Sequence, residues 1–162
     1  NTMSYADLKK YETDDNPVIS MFAHLYAPDM PPLRLSEWVN SYVGKNKQLN
    51  EIILSKKIMR RRISKNMSEE VDIPLSNSLV KYLKKLELKG ALFGELPLQE
   101  IVNIVNKTLG SGNGSRAFRI KYNSEIAPKL SGKERVVLAK QLDHSVGTAV
   151  LVYQRDKAKK KI

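Results

Sequence analysis

Few residues in this chain have chemistry to offer, and their spacing is uneven. The stretch LDHSVGTAVLVYQ (142–154) holds His144, one of two histidines, and Tyr153 nine residues further on. A phenol can act as a nucleophile, and an imidazole can donate a hydrogen bond or carry a proton. Nine residues make about two and a half helical turns, so on one straight helix the pair lies on opposite sides. The two converge only if His144 precedes the helix, which capping by Asp143 or Ser145 allows. Otherwise the stretch is a capped helix with a packed tyrosine. Arg34 in PPLRLSEW and Arg119 in SRAFRIKYNSEI add permanent positive charge.

Composition narrows the field. The chain has 162 residues, one domain's worth, and 41% of them are hydrophobic in a regular pattern, enough for a buried core. Cysteine is absent, which excludes disulfides, thiolate zinc sites and cysteine nucleophiles and accords with a reducing compartment. With only His24 and His144, a histidine-based metal site is not expected. No apolar run reaches the roughly eighteen residues of a spanning helix, and the start NTMSYADLKKYETDD lacks the apolar core of a signal peptide. A net charge of +11 and a pI near 9.8 point to a polyanionic partner, nucleic acid ahead of acidic lipid. The cations gather in SKKIMRRRISK (55–65), with Lys56, Lys57, Arg60, Arg61, Arg62 and Lys65 and no acid, and in the lysine-rich tail 155–162. The plainer reading of these charges is a solvated face and an unstructured tail.

The elements that must position these residues read as mostly helical. The first thirty residues pattern as helix, with Val18, Phe22 and Leu25 on a helical repeat. APDMPP (27–32) breaks it, and LRLSEWVNSYV follows as a helix through Tyr42, closed by Gly44. LNEIIL (49–54) and EEVDIPL (69–75) are strand material flanking the basic stretch and a turn at SKNMS, which suggests a hairpin. Helices are expected at 76–88 and 98–109, with GALFGELP as a loop between them. After the flexible GSGNGS (110–115) comes a helix with Phe118, Tyr122 and Ile126 on one face, ended by Pro128. Ser131 and Glu134 then form a capping box for SGKERVVLAKQL, and the stretch with His144 and Tyr153 is the last helix. The expected fold class is α+β in one domain, mostly helical, with a small antiparallel three-stranded sheet.

Taken in order, these segments resemble the catalytic domain of the tyrosine recombinases, the phage-integrase family. Its first box, typically G-L-R-x-S-E, is matched by PLRLSEWV with Arg34 and Glu37; its second, H-x-L-R and a short aromatic run, by RAFRIKYNS with Arg116 and Arg119. Its third, L-G-H-S-x-x-x-T and then a tyrosine, is matched by LDHSVGTAVLVY, with the same step from His144 to Tyr153. SKNMSEEVDIPL places Lys65 where the family keeps its hairpin lysine, and GALFGE is similar to the loop that follows. The resemblance runs from about residue 17 to 155 and implies a three-stranded sheet. Three departures stand out: Arg116 replaces the second-box histidine, Asp143 replaces a glycine, and the step from Arg119 to His144 is slightly long, with PKLSGK to absorb it.

What the resemblance implies is attack of the Tyr153 hydroxyl on a DNA phosphodiester. The product is a 3′-phosphotyrosyl link and a free 5′-hydroxyl, with no metal or nucleotide cofactor. Arg34 and Arg119 would clamp the non-bridging oxygens, His144 would donate to one of them, and Lys65 would protonate the leaving oxygen. Lys56 and Lys57 are alternatives to Lys65 if the hairpin register shifts. Arg116 becomes a further phosphate contact and Glu37 an orienting group. Lys56, Lys57, Arg60, Arg61 and Arg62 would lie along the backbone of double-stranded DNA. The tail after Tyr153 would join copies into a tetramer on DNA. Too few residues precede Arg34 for the family's N-terminal core-binding domain, so residues 1–162 are expected to be the catalytic domain alone, working inside a cell with DNA, in a prokaryotic cytoplasm or at a nuclear or viral site. The resemblance implies site-specific recombination, such as integration of a viral or other mobile element. The rivals are a type IB topoisomerase-like enzyme, a non-catalytic DNA-binding relative, and an RNA-binding module.

Overall fold

The computed structural model describes residues 2–62 and 70–142. Its first helix, α1 (Tyr5–Lys9), is capped by Ser4, whose hydroxyl accepts from the Asp7 amide. A 3₁₀ turn over Lys10–Thr13 follows, and then α2 (Pro17–Leu25). The chain is thus not one continuous helix here. Asn16 precedes a proline, which disfavours the helical region for it. It adopts an extended backbone and its side chain accepts from Val18, with Pro17 at the first helical position. Every residue of α2 from Val18 to Leu25 is buried. Such a helix has no solvent face and must be surrounded; it packs on α4 (Asn77–Leu86) and α5 (Leu98–Leu109).

α3 (Leu35–Val39) is one short turn and does not run on to Tyr42 as its apolar spacing suggests. The Asn40 amide group donates to the Ser36 carbonyl at 3.0 Å, and the Ser41 hydroxyl to the Glu37 carbonyl at 2.8 Å. The Ser36 carbonyl keeps its helical bond from the Asn40 backbone N–H, but the Glu37 carbonyl that the next turn would have used goes to the Ser41 hydroxyl. Ser41–Val43 becomes strand β1 instead. It is followed by β2 (Asn50–Ile53), β3 (Ile58–Arg61) and β4 (Val71–Pro74), and later by β5 (Gly90–Ala91).

The sheet therefore has five strands in the order β4-β3-β2-β1-β5, not three. It is mixed: β1 runs parallel to β2, with Ser41 opposite Asn50, while the other pairs are antiparallel. Two expectations change with it. Part of the basic stretch, Ile58–Arg61, is itself a strand, and the presumed GALFGELP loop supplies β5. Gly90 is favoured there because its φ of +101° lies in a region that other residues rarely adopt. Ile52, Met59 and Ile73, from three adjacent strands, point into one core with Phe22, Trp38 and Phe118.

The remaining helices follow their patterns. In α5, Ile101, Val105 and Leu109 are buried; in α6 (Ser115–Glu125), Phe118 and Tyr122 are. α7 (Gly132–Gln141) opens on the expected capping box, with both the Ser131 and the Glu134 hydrogen bonds formed. The turn at SKNMS and the last helix lie outside the described residues. No described helix is long and apolar enough to cross a membrane. Since the Ser131 hydroxyl satisfies an amide that a helix start leaves open, Ser131→Ala should cost about 1 kcal/mol in a urea titration. A loss of only a few tenths would mean that α7 is held by packing alone.

Candidate functional site

Arg34 sits where the chain is stiffest. Two prolines, Pro31 and Pro32, precede it, and Arg34 is the residue before the first turn of α3, with an extended backbone (φ −65°, ψ 144°). Its carbonyl accepts from the Glu37 amide at 3.0 Å. Arg116 and Arg119 stand three apart on α6, and Arg119 in turn lies three before the core residue Tyr122, at the edge of the buried face. Arg116 is exposed and Arg119 half-buried. The Arg119 Nε donates to the Pro32 carbonyl at 3.2 Å, so its guanidinium lies against the segment that carries Arg34. Glu37, only 5% exposed, lies beneath.

Tyr26 closes this neighbourhood from the end of α2. Its hydroxyl donates to the Leu33 carbonyl at 2.8 Å. Burial pushes the phenol pKa well up; the Arg119 charge opposes that rise and the Glu37 carboxylate adds to it. Phe22 fixes the arrangement, stacking near Tyr26 (4.7 Å between centroids) and edge-on to Phe118 (6.0 Å). Lys65, His144, Tyr153 and the 155–162 tail lie outside the described residues. Of the expected catalytic set, the structure thus brings the Arg119 guanidinium to the backbone segment that carries Arg34 and leads into Glu37, with Arg116 three residues before Arg119 on α6.

The row of cations at 56–62 divides. Lys56 and Lys57 are exposed on the turn before β3; Lys57 reaches the Asn77 carboxamide at 3.3 Å. Within β3 alternate residues face opposite ways. Arg60 meets Asp72 on the neighbouring strand through two hydrogen bonds, at 2.9 and 3.2 Å. Arg62 pairs with Glu51 at 2.9 Å and Glu70 at 3.4 Å. Arg61 points the other way, is 1% exposed, and donates to the carbonyls of Lys140, at 2.8 Å, and Gln141 at the end of α7. Its guanidinium caps a helix C-terminus, where positive charge is favoured. A solvated row of five DNA-facing cations is not what this strand presents.

Sequence reasoning did not single out Tyr26, Asn50 or the helix-capping use of Arg61. Asn50 is fully buried, donates to the Glu37 carbonyl at 3.1 Å and accepts from the Arg62 amide at 2.8 Å. An asparagine within an apolar strand run was the available signal, since a buried carboxamide needs partners. Tyr26 offered none, ending an apolar helix as an ordinary core tyrosine would. His24, the other histidine, is stacked on Tyr82 (4.1 Å), with Nδ1 2.8 Å from the Ser20 carbonyl and Nε2 3.4 Å from Glu12. Among the described residues, no group of three or more histidine, aspartate and glutamate side chains could hold a metal ion.

The chain matches no family model, no curated protein and no solved structure.

Because Arg61 is buried and donates to two helix-end carbonyls, Arg61→Met should cost about 3 kcal/mol of unfolding free energy by urea titration. A variant as stable as wild type would show that the cap is not needed. Arg60 holds the Asp72 carboxyl below the usual aspartate range. A depressed folded-state pKa stabilises above the unfolded value and loses that contribution as pH falls through the folded one. The melting-temperature advantage of wild type over Asp72→Asn should therefore be full at neutral pH and vanish in strong acid. A pH-independent gap would mean packing, not charge.

Proposed function

We propose that this chain is the catalytic domain of a tyrosine recombinase, breaking and rejoining DNA through a 3′-phosphotyrosyl link to Tyr153. One observation carries the reading furthest. Arg34 and Arg119, far apart in sequence, come to one place, with the Arg119 Nε on the carbonyl two residues before Arg34. Two guanidiniums carried by these neighbouring segments would suit a phosphodiester, whose transition state gathers negative charge on the non-bridging oxygens. The ordered motifs around Lys65, His144 and Tyr153 supply the remaining parts.

In this mechanism the Tyr153 oxygen bonds to phosphorus as its proton leaves to an acceptor or to solvent. The P–O5′ bond breaks, and the leaving oxygen takes a proton from Lys65. An unperturbed tyrosine titrates near pH 10, so a pocket rich in Arg34, Arg119 and Arg116 favours the attacking phenolate. His144 donates to a phosphate oxygen. The covalent link conserves the bond, and a 5′-hydroxyl, from the same strand or another, reverses the step. The net charge of +11 suits double-stranded DNA as partner, with Lys56 and Lys57 as exposed backbone contacts. Residues 155–162 would join copies on the DNA, and work in a cell's DNA-containing compartment follows from the substrate. Arg116 at the histidine position favours a second reading, a DNA-binding relative that has lost strand cleavage.

The test is covalent trapping on nicked suicide duplexes of randomised sequence, read as a DNA adduct that survives denaturation. Wild type should form it, Tyr153→Phe should not, and Arg34→Ala or Arg119→Ala should slow it by about 10²–10³-fold. An adduct that persists in Tyr153→Phe overturns the assignment of the nucleophile. Salt-sensitive DNA binding without any adduct leaves the non-catalytic relative.

A further inference from the structure

We infer that Tyr26 is a positioning residue for the two arginines, its hydroxyl setting the distance between the Arg34 segment and helix α6. The inference rests on the proposed strand-transfer reading. Tyr26 is 3% exposed and far from solvent, so it is no nucleophile itself. Its hydroxyl, however, ties the end of α2 to the Arg34 segment, donating to the carbonyl of Leu33 directly before Arg34. Arg119, on α6, bonds the adjacent carbonyl, that of Pro32, so the same segment meets α2 and α6 at neighbouring peptides. Two consecutive carbonyls are thus gripped by two side chains, one of them a proposed catalytic group. If the phenol lets go of Leu33, that peptide can turn, and both the Pro32 acceptor and the Arg34 backbone turn with it.

The ring and the hydroxyl have separable tasks. The ring packs on Phe22 in the core, whereas only the hydroxyl reaches the Arg34 segment. Tyr26→Phe keeps the first and removes the second. A misplacement of the order of an ångström at a clamp costs about a hundredfold in rate, so the single-turnover cleavage rate at saturating DNA should fall about tenfold to a hundredfold. DNA affinity should stay within about twofold, since the exposed cations that supply it are untouched.

A second substrate separates positioning from general loosening. Replacing one non-bridging oxygen of the scissile linkage by a methyl group removes the charge that the arginines must neutralise. On this methylphosphonate the deficit of Tyr26→Phe should shrink to less than about threefold, because the clamp whose placement it sets matters less. The adduct assay with suicide duplexes serves both substrates, with Arg119→Ala alongside. A normal rate in Tyr26→Phe, an equal deficit on both substrates, or a loss of DNA binding overturns the inference. If Arg119→Ala is impaired in the same experiment, the recombinase reading stands and only the role of Tyr26 falls. If wild type forms no adduct, the reading itself fails and the inference with it. Should Tyr26→Phe not fold, Tyr26→Leu, which also lacks the hydroxyl, decides on the same criteria.

Discussion

A charged group in a protein interior is tolerated only when its partners are fixed, and Arg61 is such a group. At 1% exposure it has given up water, and it recovers hydrogen bonds from the last carbonyls of α7. That requirement locks the end of β3 to the end of α7 across some eighty residues of sequence. The next residue, Arg62, is held through its amide by Asn50, which also holds the Glu37 carbonyl in α3. The strand end before Lys65, the helix end before His144 and the helix after Arg34 are therefore tied within one polar network under the sheet. Apolar packing makes the core around α2, but it is this network that sets the elements in register.

Much of the fold could be read from the sequence where a single physical signal dominated. Helices α4 and α5 have clear amphipathic patterns, α4 and α7 open on polar caps, and each of the three forms close to its expected limits. Expectation and structure part where two signals compete. The apolar spacing of Leu35, Trp38, Val39 and Tyr42 suits a helix, yet the side chains of Ser41 and Asn50 take the Glu37 carbonyl and a parallel neighbour, Asn50 opposite Ser41, captures the chain as strand. No local pattern reveals that neighbour. A two-residue strand such as Gly90–Ala91 has no sequence signature at all and exists because Tyr42 and Val43 offer it partners.

The candidate site shows the same division. Arg34, Glu37 and Arg119 could be picked out because their types and order resemble a known constellation, and the structure draws them into one neighbourhood. The row at 56–62 was misleading because charge composition cannot tell a solvated arginine from one spent on a carboxylate or a carbonyl. The alternation of a strand decided it, sending Arg60 and Arg62 to acidic neighbours and Arg61 inward. Tyr26 was invisible for a different reason. Its importance lies in which backbone carbonyl it reaches, that of Leu33, and that is a property of the assembled chain alone.

The sheet's outer strands carry a last consequence. Unpaired strand edges are templates on which other chains can add and aggregate. Here one edge, β4, ends in Pro74, which has no amide hydrogen to offer, and carries Asp72 tied to Arg60. The other, β5, is only two residues long. Both margins are blunted, so copies of this protein gathered on a shared surface at high local concentration are poorly equipped to fuse through their sheets. Contacts between copies would be left to helical faces and chain ends, whose association can be reversed more readily than a shared β-ladder.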